Sequence, residues 1–184
     1  MRRPRRIVVL IDCGDTLVDE GTEVKDARGA TQAAELIPGA ERALRKLRRR
    51  GYRLALVADG PAETFRNVLG SRGLLELFEA HAISEELGAE KPDHRMFEHA
   101  LKAMGIGPEG YGRVAMVGND LERDMAGAKR LGLTTIWVDW APRRRKAPLG
   151  PEEVPDYRIS GPAKLPALIG ALERKAAHAR EEGA

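Results

Sequence analysis

The stretch Ile7-Val8-Val9-Leu10-Ile11-Asp12-Cys13-Gly14-Asp15-Thr16-Leu17 decides the fold. Five apolar residues run without interruption, stop at a carboxylate, and give way to a glycine and polar residues. A short apolar run bounded by turn residues suits a buried strand, and it falls far short of the roughly 20 residues that cross a bilayer. Asp12 therefore stands where a buried strand emerges. Further apolar runs at 53–58, 80–84, 113–117 and 134–138 follow, with a weaker edge candidate at 157–159. Between them lie amphipathic stretches at 40–49, 61–69, 93–104, 123–131 and 165–179. In the first, Ala43, Leu44 and Leu47 share one face opposite basic residues; Asp59 is the expected cap of the helix that Pro61 opens. Strands alternating with helices predict an α/β chain, a Rossmann-like three-layer α/β/α sandwich around a parallel central sheet.

Composition agrees with one such domain. Apolar residues are 42% and charged residues 32% of 184, which describes a globular chain with a real core, expected over about 6–175 with flexible ends at 1–5 and 177–184. Arg2, Arg3, Arg5 and Arg6 precede the first run, but that run is too short for a signal peptide, so a cytoplasmic protein is expected. Cys13 is the one cysteine; it makes no internal disulfide, and its position suits a small residue flanking a strand end. Arginines cluster at 2–6, 48–50 and 143–145, and the net charge is +3. Such patches can meet phosphate backbones, yet 4% aromatic residues leave little for base stacking, so nucleic acid is not the expected partner.

In an open parallel sheet, ligands bind beyond the carboxyl ends of the strands, where strand order reverses. Asp12 and Asp15 follow the first strand, Asp59 the second, and Asn119, Asp120 and Asp124 the fourth, while Lys91 precedes a helix after the third. Several carboxylates and one lysine thus converge on one rim.

These residues fall into three motifs. Residues 11–17 resemble the opening motif of the haloacid-dehalogenase superfamily, Glu90-Lys91-Pro92-Asp93 its lysine motif, and residues 117–124 with Gly127 and Ala128 its acidic metal motif. The resemblance covers about 6–140 and implies a phosphatase-like member of that family. Asp12 would be the nucleophile, forming an aspartyl-phosphate. Lys91 would balance charge on the phosphoryl group. Asp15, Thr16, Ala58, Asp59 and Gly60 would line the phosphate or substrate site. Mg2+ would be held by Asp12, the Gly14 carbonyl, Asn119, Asp120 and Asp124, since it favours oxygen ligands. The chain between 12 and 91 leaves no room for a large cap domain, so residues 18–38 are expected to form a small flap and one short helix. Members of this kind act on larger substrates or close the site with a neighbouring subunit, which makes a homo-oligomer one expectation.

Three positions depart from the pattern. Gly14 stands where the family has an acid–base aspartate, whose loss is worth about 10²–10⁴-fold in rate. Ala58 replaces a phosphate-binding hydroxyl, and Asn119 replaces a metal-binding aspartate. Asp15 could substitute for the missing acid but should point elsewhere. The leading expectation is a Mg2+-dependent phosphatase of a phosphorylated small molecule or a larger phosphorylated substrate. The alternative is a catalytically impaired binding or scaffold protein on the same fold. Behind them stand a haloacid dehalogenase and a nucleic-acid end phosphatase.

Overall fold

The computed structural model describes residues 6–181; Arg2, Arg3 and Arg5 of the first basic cluster and residues 182–184 lie outside them. In chain order the strands are β1 (Val8–Ile11), β2 (Val18–Lys25), β3 (Thr31–Leu36), β4 (Arg53–Ala58), β5 (Ala80–Ile83), β6 (Val114–Gly118), β7 (Thr134–Val138) and β8 (Tyr157–Ile159). The helices are α1 (Ala40–Arg49), α2 (Ala62–Val68), α3 (Ser84–Leu87), α4 (His94–Ala103), α5 (Gly127–Arg130) and α6 (Leu165–Glu181). Six strands form one parallel sheet in the order β5-β4-β1-β6-β7-β8. β1 is flanked on both sides, with Ile11 opposite Leu56 of β4 and Val117 of β6. The chain builds outward from β1 in one direction, then returns to build in the other. That reversal opens a crevice at the carboxyl ends of β1 and β6.

The two-residue period of the strands sorts their side chains into two cores. Val9 and Ile11, with Leu54, Leu56 and Val117, pack against Leu44 and Leu47 of α1 and Leu165 and Ile169 of α6. Val8 and Leu10, with Ala55, Val57 and Met116, pack against Met96, Phe97, Ala100 and Leu101 of α4. The expected three-layer sandwich is present. α4 starts as its sequence suggests: the Asp93 side chain accepts a hydrogen bond from the Arg95 amide at 2.9 Å.

Elsewhere the chain differs from its sequence reading. Residues 18–38 contain no helix; β2 and β3 pair as an antiparallel hairpin, with Gly29 at φ 83° in its turn. Ala33 and Ala34 have high helix propensity, but pairing with β2 and docking on α2 override it. That docking runs through Thr31, whose amide donates to Thr64 Oγ1 at 2.9 Å and whose carbonyl accepts from Asn67 Nδ2 at 3.0 Å. The third strand stops at Ile83, and Ser84 opens the short α3. The expected 123–131 helix begins earlier, as one widened π-type turn over Leu121–Ala126 that leads into α5. α6 runs to Glu181, two residues beyond the expected 165–179 helix. Residues 141–156 are a loop, as expected, except for a single 3-10 turn at Pro151–Glu153.

Candidate active site

Asp12 extends the ladder of β1 by one bond, its amide donating to the Val117 carbonyl at 2.9 Å. The chain then turns sharply: the Cys13 carbonyl accepts from the amides of Thr16, Leu17 and Val18, and Asp15 takes a φ of 50°. Aspartate tolerates this left-handed conformation better than most residues. The turn brings Thr16 back so that its hydroxyl donates to Asp12 Oδ2 at 2.9 Å. Asp12 Oδ1 accepts from Lys91 Nζ at 2.6 Å.

Lys91 is the hub of the site. Its side chain is 3% exposed, and Nζ also lies 2.7 Å from Asp124 Oδ1 and 3.8 Å from Asp59 Oδ2. Burial alone would lower the lysine, but Asp12, Asp124 and Asp59 outweigh it and hold the ammonium above its ordinary range. One ammonium cannot neutralise three carboxylates. Burial pushes Asp124 up to about 7 against the pull of Lys91, and burial raises Asp59 in the same way.

The widened turn after β6 divides the fourth-strand residues. The Asp120 carboxylate accepts from the amides of Glu122 and Arg123, at 3.0 and 2.9 Å, and so caps the turn. Asp124 is fully buried, one oxygen on Lys91 and the other accepting from the Asp120 amide at 3.0 Å. Gly118 makes this approach feasible, since a side chain there would come within 2.6 Å of Asp124 Cβ. Asn119 is buried; its carbonyl accepts from Trp137 Nε1 at 2.9 Å, while its amide nitrogen has no partner.

One expected role is corrected by the geometry. Asp59 does not cap α2, whose first amide, that of Ala62, donates instead to Glu85 Oε2 at 2.8 Å. Asp59 is drawn the other way, to the Lys91 amide at 3.0 Å and to Arg123 at 2.9 Å. Gly60, read as a phosphate-site residue, has its amide engaged by Ser84 Oγ at 2.9 Å. Ala58 is buried and offers no hydroxyl. Asp15 does not join Asp12 and Lys91: its buried carboxylate pairs with Arg143 and, at 2.6 Å, with Arg144 Nε. Burial raises the Cys13 thiol, with Asp12 adding to the effect, which disfavours the thiolate there.

Side chains from distant sequence complete the rim. Arg143 also binds Asp19 at 2.8 Å, and Arg144 also pairs with Glu20, so the 141–156 loop grips the hairpin. Glu20 reaches back over Gly14: a methyl group built at position 14 would lie 2.7 Å from Glu20 Cδ and 3.1 Å from its Cγ. Burial raises the Glu20 carboxyl against the pull of Arg144. Arg123, on the widened turn, ties Asp59, Glu90 and the Lys91 carbonyl together. No local pattern marks Glu20; Arg143 and Arg144 stand out in the sequence only as part of the 143–145 basic cluster, and Arg123 only by its place inside the acidic motif.

Among the described residues, no three Asp, Glu, His or Cys side chains are disposed to chelate one ion. The available donors are nonetheless all oxygen: the Asp12 carboxylate, the Gly14 carbonyl, the Asn119 amide and Asp124. The unpartnered end of Asn119 supports this, because half a turn of the amide presents its oxygen in the same position. One or two carboxylates with neutral oxygens suit Mg2+, which keeps several of its waters.

Comparison with known proteins agrees with this geometry. A family model of haloacid dehalogenase-like hydrolases matches residues 10–132. The phosphoserine phosphatase of Thermus thermophilus is 41% identical over 124 residues, 67% of this chain and 47% of the relative. The glyceraldehyde 3-phosphate phosphatase of Pyrococcus furiosus is 34% identical over 140 residues, 76% of this chain and 55% of the relative. The magnesium-bound HAD-hydrolase YfnB from Bacillus subtilis superposes with a TM-score of 0.62 at 27% identity, over 73% of this chain and 56% of that one. The chain therefore spans about half the length of the curated relatives it matches. The matched residues include Asp12, Lys91, Asn119 and Asp124, and the chain belongs to the haloacid dehalogenase-like hydrolases.

Proposed function

We propose that this chain is a Mg2+-dependent phosphohydrolase that acts on a phosphorylated small molecule through an aspartyl-phosphate on Asp12. The observation that carries this reading is the setting of Asp12. It is a carboxylate at the mouth of the central strand, with one oxygen on the buried Lys91 ammonium and the other on the Thr16 hydroxyl. An Asp12 oxygen attacks phosphorus, the ester oxygen departs, and water then hydrolyses the acyl phosphate. Lys91, fixed by three carboxylates, places a permanent positive charge beside the reacting oxygens. Thr16 orients the nucleophile. Bound Mg2+, held by Asp12, the Gly14 carbonyl, Asn119 and Asp124, would supply charge neutralisation for the phosphoryl group. Asp120 would act one step removed, by shaping the turn that carries Asp124.

Gly14 brings no carboxyl, and the side chain lying over it is Glu20. Glu20 would then protonate the departing ester oxygen, a role supported by its position over Gly14 and its raised carboxyl. The activities of the relatives support a small phosphorylated substrate, and magnesium-bound YfnB supports the metal. A cytoplasmic setting fits a lone, buried cysteine; no helix among the described residues is long and apolar enough to cross a membrane. A second reading, a binding protein on the same scaffold, is favoured by Ala58 and by the engaged amide of Gly60, which weaken the grip on phosphate.

The test is hydrolysis of a generic aryl phosphate with and without Mg2+, beside Asp12→Asn. Magnesium-dependent turnover that vanishes in a folded Asp12→Asn protein is expected. Turnover that survives the substitution excludes the covalent mechanism, and no turnover above the mutant background favours the binding reading.

A further inference from the structure

The amino-terminal ends of the strands, opposite Asp12, hold a second concentration of charge. A cavity of about 590 Å3 is walled there by Arg6, Arg49, Arg50, Arg53 and Arg113, with Glu109 the one carboxylate in its lining. Parallel topology gathers them, because Arg6 precedes β1, Arg53 opens β4 and Arg113 precedes β6, while Arg49 and Arg50 end α1. Two of the three arginine clusters in the sequence thus contribute to one concavity.

The walls differ in how they are held. Arg53 is anchored by Glu79 at 2.8 Å and by the Met104 carbonyl at 2.9 Å. Arg113 is anchored by Glu173 at 2.9 Å, and its buried Nε has no partner. Arg6 stacks over the Tyr52 ring at 5.4 Å, and Arg50 donates to the Pro166 carbonyl at 3.1 Å. Among the described residues, Arg6, Arg49 and Arg50 meet no carboxylate. Concave low-dielectric walls focus the field of such groups. Guanidinium forks match phosphate oxygens in pairs. The volume suits a small ligand, and among the described residues no aromatic side chain lines the cavity to stack a base.

We propose that this cavity is a binding site for a small multivalent phosphate anion, either free polyphosphate or the phosphate tail of a nucleotide. The proposal is independent of the chemistry at Asp12.

The experiment is calorimetric titration of the full chain with tripolyphosphate at low salt and with a chelator present. Without metal, the Asp12 site presents surplus carboxylates and repels anions, so the heat reports on the arginine cavity. One saturable site is expected, unchanged by Asp12→Asn, weakened by added salt, and weakened about tenfold or more by Arg49→Gln with Arg50→Gln. Both arginines are exposed, and an unchanged melting temperature verifies that the variant folds. ATP that displaces tripolyphosphate identifies the nucleotide tail as the ligand; failure to displace it identifies free polyphosphate. No saturable binding, or equal affinity in the double variant, overturns the proposal. So does an oligonucleotide that binds more tightly than either anion, which would make the surface a nucleic-acid site.

Discussion

Position 14 and Glu20 compete for one volume. An aspartate placed at 14 has to displace the Glu20 carboxylate, which is paired with Arg144, so Gly14→Asp alone should cost about 1–3 kcal/mol of stability. Glu20→Ala should fold normally and lose turnover on the order of 10²-fold if Glu20 moves the proton. The pair Gly14→Asp with Glu20→Ala should recover both stability and rate. Urea unfolding and aryl phosphate hydrolysis on the three proteins check this; a Gly14→Asp protein as stable as the parent would show that Glu20 does not fill that space. Asp12, Thr16, Lys91, Asn119 and Asp124 stand out in the sequence because each belongs to a short motif with its own chemistry, and the fold joins Asp12, Thr16, Lys91 and Asp124 by hydrogen bonds. It misplaced Asp59, since a capping preference is local, whereas the Lys91 amide and Arg123 that capture this carboxylate come from 32 residues away or more. Glu20 leaves no signal of its own in the sequence: the role proposed for it depends on the missing side chain at Gly14.

At the level of elements, the hairpin is fastened to the molecule at two places, α2 and the 141–156 loop. The second fastening leaves a testable weakness. Arg144→Gln removes partners from the buried Asp15 and from Glu20, and should cost about 1–3 kcal/mol. The loss should fall on the hairpin: faster amide exchange in β2 and β3, slower turnover, and unchanged exchange in β1 and β6. Uniform loss of protection across the sheet would mean that the clamp supports the whole fold instead. Strands and long helices were legible because periodicity is a local property that burial on one or two faces imposes. The hairpin was read only as a flap with a helix, and the arginine clamp was not read at all. Ladder partners and ion pairs across 124 residues or more leave no periodic trace.

The molecule as a whole has an acidic end and a basic end, separated by the length of its strands. At the acidic end Asp124, pushed up to about 7, and the raised Asp59 and Glu20 share one sign. In the folded chain these carboxyls keep protons that the unfolded chain has released from about pH 4 upward, so stability should fall as pH rises from about 4 to about 7. Lowered surface groups such as Asp93, at about 2, act below that window. With a chelator present, the urea midpoint should be higher near about pH 5.5 than near about pH 7.5. Added Mg2+ should stabilise more at the higher pH, because it competes with those protons. A midpoint that climbs with pH under chelation would show that the surplus carboxylates are compensated in some other way.

β1 is paired on both sides and closed over on both faces, while β5 and β8 are edges and the hairpin stands outside the sheet. Asp12 is therefore rooted in the part of the molecule expected to open last, while the hairpin and the 141–156 loop beside it belong to parts expected to open earlier. The rim can be rebuilt, by insertions in the hairpin or the 141–156 loop, without moving Asp12 relative to the end of β6, where Asn119 follows. In evolutionary terms, the proposed reaction and the choice of its substrate would be separately adjustable.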